Sequence, residues 1–397
     1  MTELTETETE TDADVDAKPR GQGGPKLRSR KHGAAIPLDD TDRRLMNLMQ
    51  SEFPLDPEPY AKLAAAADLP VEEFMERTRR LLDGRIIREI TPIFDTRALG
   101  YSSMLVAARV DHEYPHRPAT IINSHPGVSH NYLRDHEFNL WFTIATPPDS
   151  RLGLEGTLEV LQRLTGAESI RQLPTLTMFK INMNLEMEGD TDALAAKVEA
   201  VPPRELEPQP YDDFDIAVIR ALQGPMEVTD RPYDAAAAAV GVDTADLLTH
   251  LEVLVERKIL RRVAAILFHR RAGFSANGMG VWKVAPEDVA EVGGRMAAVR
   301  GISHCYERPT YEDWPYSVFT MAHGRSKEEC DAVLQSIADE HDLHGDDRAV
   351  LYSSTEFKKI RLHYFTPDYE AWEREHAPEA FAGEADGNQR TADSTRP

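Results

Sequence analysis

GVSHNYLR at residues 127–134 returns as GISHCYER at residues 301–308, with five of eight positions identical at an offset of 174. The correspondence extends outward in both directions. LDDTDRRLMNLMQ (38–50) lies over YDDFDIAVIRALQ (211–223), and RIIREITPIFDTRALGY (85–101) over KILRRVAAILFHRRAGF (258–274), both at an offset of 173. Toward the C-terminus, FTIAT (142–146) and FTMAH (319–323) match at 177, and Phe179-Lys180 and Phe357-Lys358 at 178. A nearly constant offset over this length identifies a duplication, with the extra residues of the second copy mainly within PTYEDWP (309–315).

Each copy opens with helical periodicity. Leu45, Leu48 and Met49 form an apolar stripe, and Tyr60 to Ala67 an Ala-rich helix. Pro70 then stands where a first helical turn tolerates proline, ahead of VEEFMERTRRLLDG. Three short helices ending at Asp83-Gly84 predict a helix-turn-helix with a wing, and the second copy repeats them over Asp212–Gln223, Tyr233–Val240 and Asp243–Arg257. After that the period changes. SSMLVAARV, VSHNYLRD and LWFTIAT read as strands, RLGLEGTLEVLQRLTG as a helix and TLTMFKINMNLEM as an alternating strand. With a short helix around Pro118–Ser124, the order is β-α-β-β-α-β, the ferredoxin-like arrangement.

The fold class is therefore α+β: a tandem duplication of a winged helix-turn-helix plus a ferredoxin-like domain. The halves are expected to pair as an intramolecular pseudo-dimer with the winged-helix units outside. Winged helix-turn-helix units are placed at 38–100 and 211–273, and ferredoxin-like domains at 101–188 and 274–376. Disordered tails are expected at 1–37 and 377–397, and a linker rich in Pro and charge at 189–210.

Composition narrows the function. Lys and Arg number 45 against 68 Asp and Glu, a net charge of −23 over 397 residues, which opposes attraction to nucleic-acid phosphates. No stretch approaches the roughly 20 apolar residues of a membrane span, and MTELTETETETDADVD lacks the features of a signal peptide, so a cytoplasmic protein without a membrane partner is expected. Cys305 and Cys330 are too few for a disulfide framework or a thiolate metal site. Phosphate-loop, nucleophile-elbow and H-E-x-x-H motifs do not occur, and no dedicated metal site is expected.

Side chains two apart on a strand share a face, which puts His130, Tyr132, Arg134 and His136 in one row and His304, Tyr306, Arg308 and Thr310 in another. Burying Arg and His costs free energy unless partners are supplied, so a repeated His-x-Tyr-x-Arg row points to a binding or reacting site. Basic residues gather nearby: Arg257, Lys258, Arg261, Arg262, His269, Arg270 and Arg271, with Arg85, Arg88 and Arg97 in the first copy. Lys180, Lys358, Lys359 and Arg361 follow on later strands. Guanidinium groups clamp carboxylates or phosphates in bidentate fashion, so the pattern implies a polyanionic ligand smaller than a DNA duplex.

The helix-turn-helix, wing and following β-α-β-β-α-β together resemble the Lrp/AsnC family. Longer strings resemble its siroheme decarboxylase branch: GVSHNYLRDHEFNLWFT (127–143) and MFKINMNLEM its first subunit, and HRRAGFSANGMGVWKV (269–284), GISHCYERPTYEDWPYSVFTMAHGR (301–325) and STEFKKIRLHYF (354–365) its second. The chain looks like a fusion of the two. The resemblance implies removal of the C12 and C18 acetate carboxyl groups of siroheme, giving 12,18-didecarboxysiroheme and carbon dioxide, in haem or haem d1 biosynthesis. Siroheme would be the partner and bring its own iron, so no added cofactor is expected.

On this reading His130 and His304 donate protons or position substrate, Tyr132 and Tyr306 stack on the macrocycle or hydrogen-bond a carboxylate, and Arg134 and Arg308 hold carboxylates. Arg270, Arg271, Lys180, Lys358 and His136 would bind substrate, and Trp282, Tyr311 and Trp314 would line the pocket. One asymmetric productive site is expected, because the copies differ at Asn131/Cys305, His136/Thr310 and PTYEDWP. The alternative is a DNA-binding regulator sensing a tetrapyrrole. Against it, Glu72, Glu73 and Glu76, and Asp243 and Asp246, stand where recognition helices meet phosphates; Arg77, Arg79 and Arg80 speak for it.

Overall fold

Reciprocal aspartate caps start both halves. Asp42 N donates to Asp39 Oδ1 at 2.7 Å and Asp39 N to Asp42 Oδ2 at 3.1 Å; Asp215 and Asp212 repeat the exchange at 2.9 and 3.1 Å. Each pair satisfies donors that a helix N-terminus leaves unpaired. In the computed structural model, which describes residues 37–51, 53–181, 207–268 and 276–382, these caps open α1 (Asp40–Ser51) and α6 (Asp213–Leu222). Helices α2 (Pro59–Ala66) and α3 (Val71–Asp83) and wing strand β1 (Ile87–Phe94) complete the first unit. The second comprises α7 (Asp234–Val240), α8 (Thr244–Glu256) and wing strand β7 (Leu260–Leu267).

The wings are not separate. β1 and β7 pair antiparallel with each other, from Ile87 opposite Leu267 to Phe94 opposite Leu260. A lone wing would leave a row of backbone N–H and C=O groups unpaired, and its duplicate satisfies them.

The first ferredoxin-like unit is β2 (Ser102–Arg109), α4 (His116–Ser124), β3 (Val128–Arg134), β4 (Leu140–Thr146), α5 (Gly153–Thr165) and β5 (Ser169–Leu173). The strand after it, β6 (Thr177–Ile181), lies in TLTMFK; it does not close its own sheet, as expected, but pairs with β9 of the other half. The second unit is β8 (Ala276–Trp282), α9 (Val289–Ala298), β9 (Ile302–Glu307), β10 (Val318–Gly324), α10 (Lys327–His341) and β11 (Arg348–Lys359). Strand β11 has 12 residues, about 40 Å of extended chain, and serves both halves: Arg348–Tyr352 pairs with β8 and Ser353–Lys359 with β3. One nine-stranded sheet results, in the order β5-β2-β4-β3-β11-β8-β10-β9-β6.

Helices cover one face of each half. The opposite faces meet in a shared core, where Ala107, Phe138, Trp141 and Leu173 pack with Met279, Val281, Trp314, Phe319 and Leu351. The second ferredoxin-like span finishes on the first half, and order continues past its expected end at residue 376. Helix α11 (Asp368–His376) and a single 3-10 turn, Pro378–Phe381, pack on the first half, with Phe381 beneath Arg151 and Arg374 at 4.6 and 4.1 Å. Trp372 Nε1 donates to Ser124 Oγ at 3.1 Å, an aromatic anchor just before the expected tail. The linker's last residues are likewise fixed, Gln209 N donating to the Ala98 carbonyl at 2.8 Å. The expected tail over 1–36 and linker over 189–206 lie outside the described residues. Among the described residues no helix is long and apolar enough to cross a membrane.

Gly127, at the entry to β3, has no room for a side chain. A Cβ there would lie 1.8 Å from the Ala145 carbonyl oxygen, beside the Ala145 N–H bond to the Gly127 carbonyl at 2.9 Å. Gly127→Ala is expected to destabilise the fold by about 1–3 kcal/mol or more, read as a lowered denaturation midpoint, because backbone must move to relieve the overlap. A wild-type midpoint would contradict this packing.

Candidate functional site

Strands β3 and β9 carry the repeated rows, and the residues between the row members fix their direction. Asn131 Nδ2 donates to the Ala119 carbonyl (3.3 Å) and to Asn123 Oδ1 (3.0 Å) of α4, and Cys305 Sγ donates to the Gly293 carbonyl of α9 (3.4 Å). Alternation then turns His130, Tyr132 and Arg134, and His304, Tyr306 and Arg308, toward the opposite, inter-sheet side.

The two rows share one internal geometry. Ser129 Oγ holds His130 Nδ1 at 2.9 Å, and Ser303 Oγ holds His304 Nδ1 at 2.7 Å. The His130 and Tyr132 rings lie 6.1 Å apart, tilted by 30°, and the His304 and Tyr306 rings 5.9 Å apart at 35°. Arg134 sits over Tyr132 and Trp141 at 5.8 and 5.9 Å, and Arg308 over Tyr306 and Phe319 at 4.9 and 5.4 Å.

These two arginines are 7% and 8% exposed, and among the described residues neither has a carboxylate at ion-pair distance. Arg134 Nη1 donates to the Leu351 carbonyl at 2.6 Å and Arg308 Nη1 to the Leu173 carbonyl, while Nε of each has no hydrogen-bond partner. Burial lowers both to about 10, which leaves them cationic at neutral pH. A buried guanidinium with an unfilled donor is costly until an anion meets it.

His130 is shifted the other way relative to a useful acid. Burial, then the positive charges of Lys359 and Arg88, lower it to about 4, so the ring is neutral at pH 7. Lys359 is the strand partner of His130 across β11 and β3, and Arg88 Nη2 donates to the Lys359 carbonyl at 3.2 Å. Both were read only as part of the basic run; the β11 register is the signal that brings them to His130.

Three expected site residues, Lys180, Lys358 and Trp282, stand on the helix-covered sides. Lys180 Nζ donates to the Val299 carbonyl at 3.0 Å, and Lys358 Nζ to the Asn123 and His125 carbonyls at 2.8 and 3.3 Å, so both ammonium groups cap helix C-terminal ends on the covered faces. Trp282 is buried in the second half's helix-side core, its indole N–H on Thr320 Oγ1 at 2.9 Å. His136 follows the end of β3, where its Nδ1 accepts from Phe138 N at 3.0 Å and its ring meets Trp314 edge-on at 5.3 Å. Trp314 is fully buried between the sheets against Phe138, Trp141 and Phe319. Tyr311 donates to the Gln172 carbonyl at 2.6 Å, and Asp313 takes two bonds of 2.8 Å from Arg171. PTYEDWP therefore bolts the second half to β5. Arg270 and Arg271 lie outside the described residues.

The basic groups of recognition helix α3 are engaged within the chain. Arg77 pairs with Asp39, Asp42 and Glu73, Arg80 with Asp42, and Arg79 Nη2 donates to the Val228 carbonyl at 2.7 Å.

Residues 98–180 and 271–358 match the model of the AsnC-like ligand binding domain, and residues 42–88 and 215–261 that of the siroheme decarboxylase NirDL-like HTH domain. The siroheme decarboxylase of Hydrogenobacter thermophilus is 35% identical over 332 residues, covering 84% of this chain and 97% of that protein. The siroheme decarboxylase alpha subunit of Desulfovibrio desulfuricans is 36% identical over 160 residues, 40% of this chain and 91% of that subunit. A crystal structure of the siroheme decarboxylase NirDL in co-complex with an iron-uroporphyrin III analogue superposes with a TM-score of 0.67 at 30% identity, covering 86% of this chain and 99% of that one.

Histidine burial has a pH consequence. His125 is lowered to about 3 and His130 to about 4, so between the ordinary imidazole value of about 6.5 and these values the unfolded chain binds more protons than the folded one. Stability is full above pH 6.5 and falls as the solution is acidified through that window. His130→Gln is expected to flatten the slope between pH 6.5 and about 4 in denaturant titrations; an unchanged slope would mean the ring is not held neutral.

Proposed function

The chain belongs to the siroheme decarboxylase family, and from that premise we propose that it removes the C12 and C18 acetate carboxyl groups of siroheme, giving 12,18-didecarboxysiroheme and two molecules of carbon dioxide. The observation that carries the assignment of the site is the pair of buried guanidinium groups, Arg134 and Arg308, each with an unfilled donor beside a His and a Tyr. Siroheme is a polycarboxylate with a flat conjugated ring, and the rows offer cations for the carboxylates and aromatic faces for the ring.

In each round the bond between the acetate methylene and its carboxyl carbon breaks. The carboxyl leaves as carbon dioxide, the electron pair stays on the methylene carbon, and one proton completes a methyl group. The step is redox-neutral. Because the macrocycle spreads the electron pair, the reading calls for no added organic cofactor, and the iron arrives within the substrate.

Arg134 and Arg308 hold carboxylates, Tyr132 and Tyr306 stack on the ring or hydrogen-bond a carboxylate, and His130 and His304 deliver protons. His130 is neutral because burial and two cations oppose its charge. A substrate carboxylate placed among them offsets those cations and favours the protonated ring, so binding itself loads the general acid. The tied-down arginines of α3 argue against the DNA-reading alternative.

Anaerobic incubation of the purified chain with siroheme, followed by mass spectrometry of the tetrapyrrole, is expected to show loss of two carbon dioxide units. His130→Ala and His304→Ala are each tested the same way; removal of a general acid lowers turnover by about 10²–10⁴-fold. Unchanged siroheme with a folded wild-type chain would overturn the assignment. In parallel, labelled duplex DNA at low salt is expected to show no sequence-selective shift in anisotropy.

A further inference from the structure

Wing strand β1 begins beside the strand that flanks the first row. Arg88, its second residue, donates through Nη2 to the Lys359 carbonyl at 3.2 Å, and Lys359 is the β11 partner of His130 in the register of the central sheet. A residue of a DNA-binding motif is thereby brought to the substrate row, by a hydrogen bond to the strand that flanks it.

Basic groups gather around this point. Arg88 Nε lies 3.7 Å from Glu89 Oε1, too long for a good hydrogen bond, and Arg361 is engaged with Thr91 and Pro92 of the same wing strand. Glu356, the strand partner of Tyr132, is the other acid on this stretch of β11 and is exposed. Lys359 and Arg88 are the two cations whose charge reaches the His130 ring. The second row is built differently at the matching positions: there the strand partner of His304 is Ile181, and that of Tyr306 is Met178. The cation on the flanking strand is thus a property of the first row.

We propose that Arg88 and Lys359 together bind one carboxylate of the substrate above His130, making wing strand β1 part of the substrate site. The inference rests on the siroheme reading given above and deepens it by naming where one carboxylate docks. Arg88 closes the row from the wing side and Lys359 from the sheet side, and a carboxylate between them has its oxygens shared by a guanidinium and an ammonium. The group held there sits next to the imidazole, which places the ring of the substrate along Tyr132 and a second carboxylate toward Arg134. Both are positioning residues for the known reaction. They also give the duplicated wing a use that does not involve nucleic acid.

Arg88→Gln, Arg88→Lys and Lys359→Met in the full-length chain test this, with iron-uroporphyrin III as a non-reacting probe followed by its absorbance and siroheme as substrate. The expected result is about tenfold weaker probe binding for Arg88→Gln and for Lys359→Met, the loss of one charge-assisted contact. Arg88→Lys should recover most of the affinity, and the defect with siroheme should appear in KM more than in kcat. Thermal unfolding of each variant checks that the wing is intact; should Arg88→Gln prove misfolded, Lys359→Met, whose side chain is exposed, decides alone. Wild-type affinity in Lys359→Met and in folded Arg88→Gln, with a wild-type chain that binds and decarboxylates, overturns the proposal. A wild-type chain that neither binds the probe nor changes siroheme would instead bring down the functional reading beneath it.

Discussion

The edge of a β-sheet is a row of unsatisfied hydrogen-bonding groups, and the management of two such edges organises this molecule. In the 4-1-3-2 order of each half, the second strand, β3 or β9, is left at the rim. Each rim is closed by a strand from the other half: β11 runs on past its own sheet to cover β3, and β6 crosses to cover β9. The chemistry-bearing rows are on these rim strands, so they stand at the seam between the halves. The shared inter-sheet core and the neighbourhood of Lys359 and His130 follow from that pairing.

A second constraint is electrostatic. Arg134 and Arg308 enter the core shared by the two halves with carbonyls and aromatic rings as company and, among the described residues, no carboxylate. Their aromatic neighbours supply the negative faces that a guanidinium prefers, which lessens the desolvation cost without neutralising the charge. The same space keeps His130 neutral. An interior biased toward positive charge favours a polyanion.

Much of this was legible in the sequence. The repeat offset, the helices, most strands and the His-x-Tyr-x-Arg rows follow from periodicity and self-comparison. What was missed has physical reasons. Strand β5, SIRQL, is short and mixed in polarity, so no alternation marks it; TLTMFK alternates well, but no local pattern tells a strand which sheet it will join. Lys180 and Lys358 were placed in the site as basic residues of later strands, with no account of which face each takes. Each follows a bulge, between Met178 and Lys180 and between Glu356 and Lys358, and the extra residue turns the side chain to the helix-covered face. His136 fails for a related reason, since β3 ends at Arg134 and the chain bends before the spacing is completed. Trp282 and Val281 are adjacent and face opposite sides, a choice that aromaticity alone does not reveal.

The crossing of β11 also sets a clock for biosynthesis. Strand β3 leaves the ribosome roughly 220 residues before the segment that covers it, a wait on the order of ten to forty seconds at about 5–20 residues per second. Throughout that interval the nascent first half presents an open edge, carrying His130, Tyr132 and Arg134, to every other polypeptide in its vicinity. Its exposure ends only when Ser353–Lys359 of β11 have emerged to pair with it.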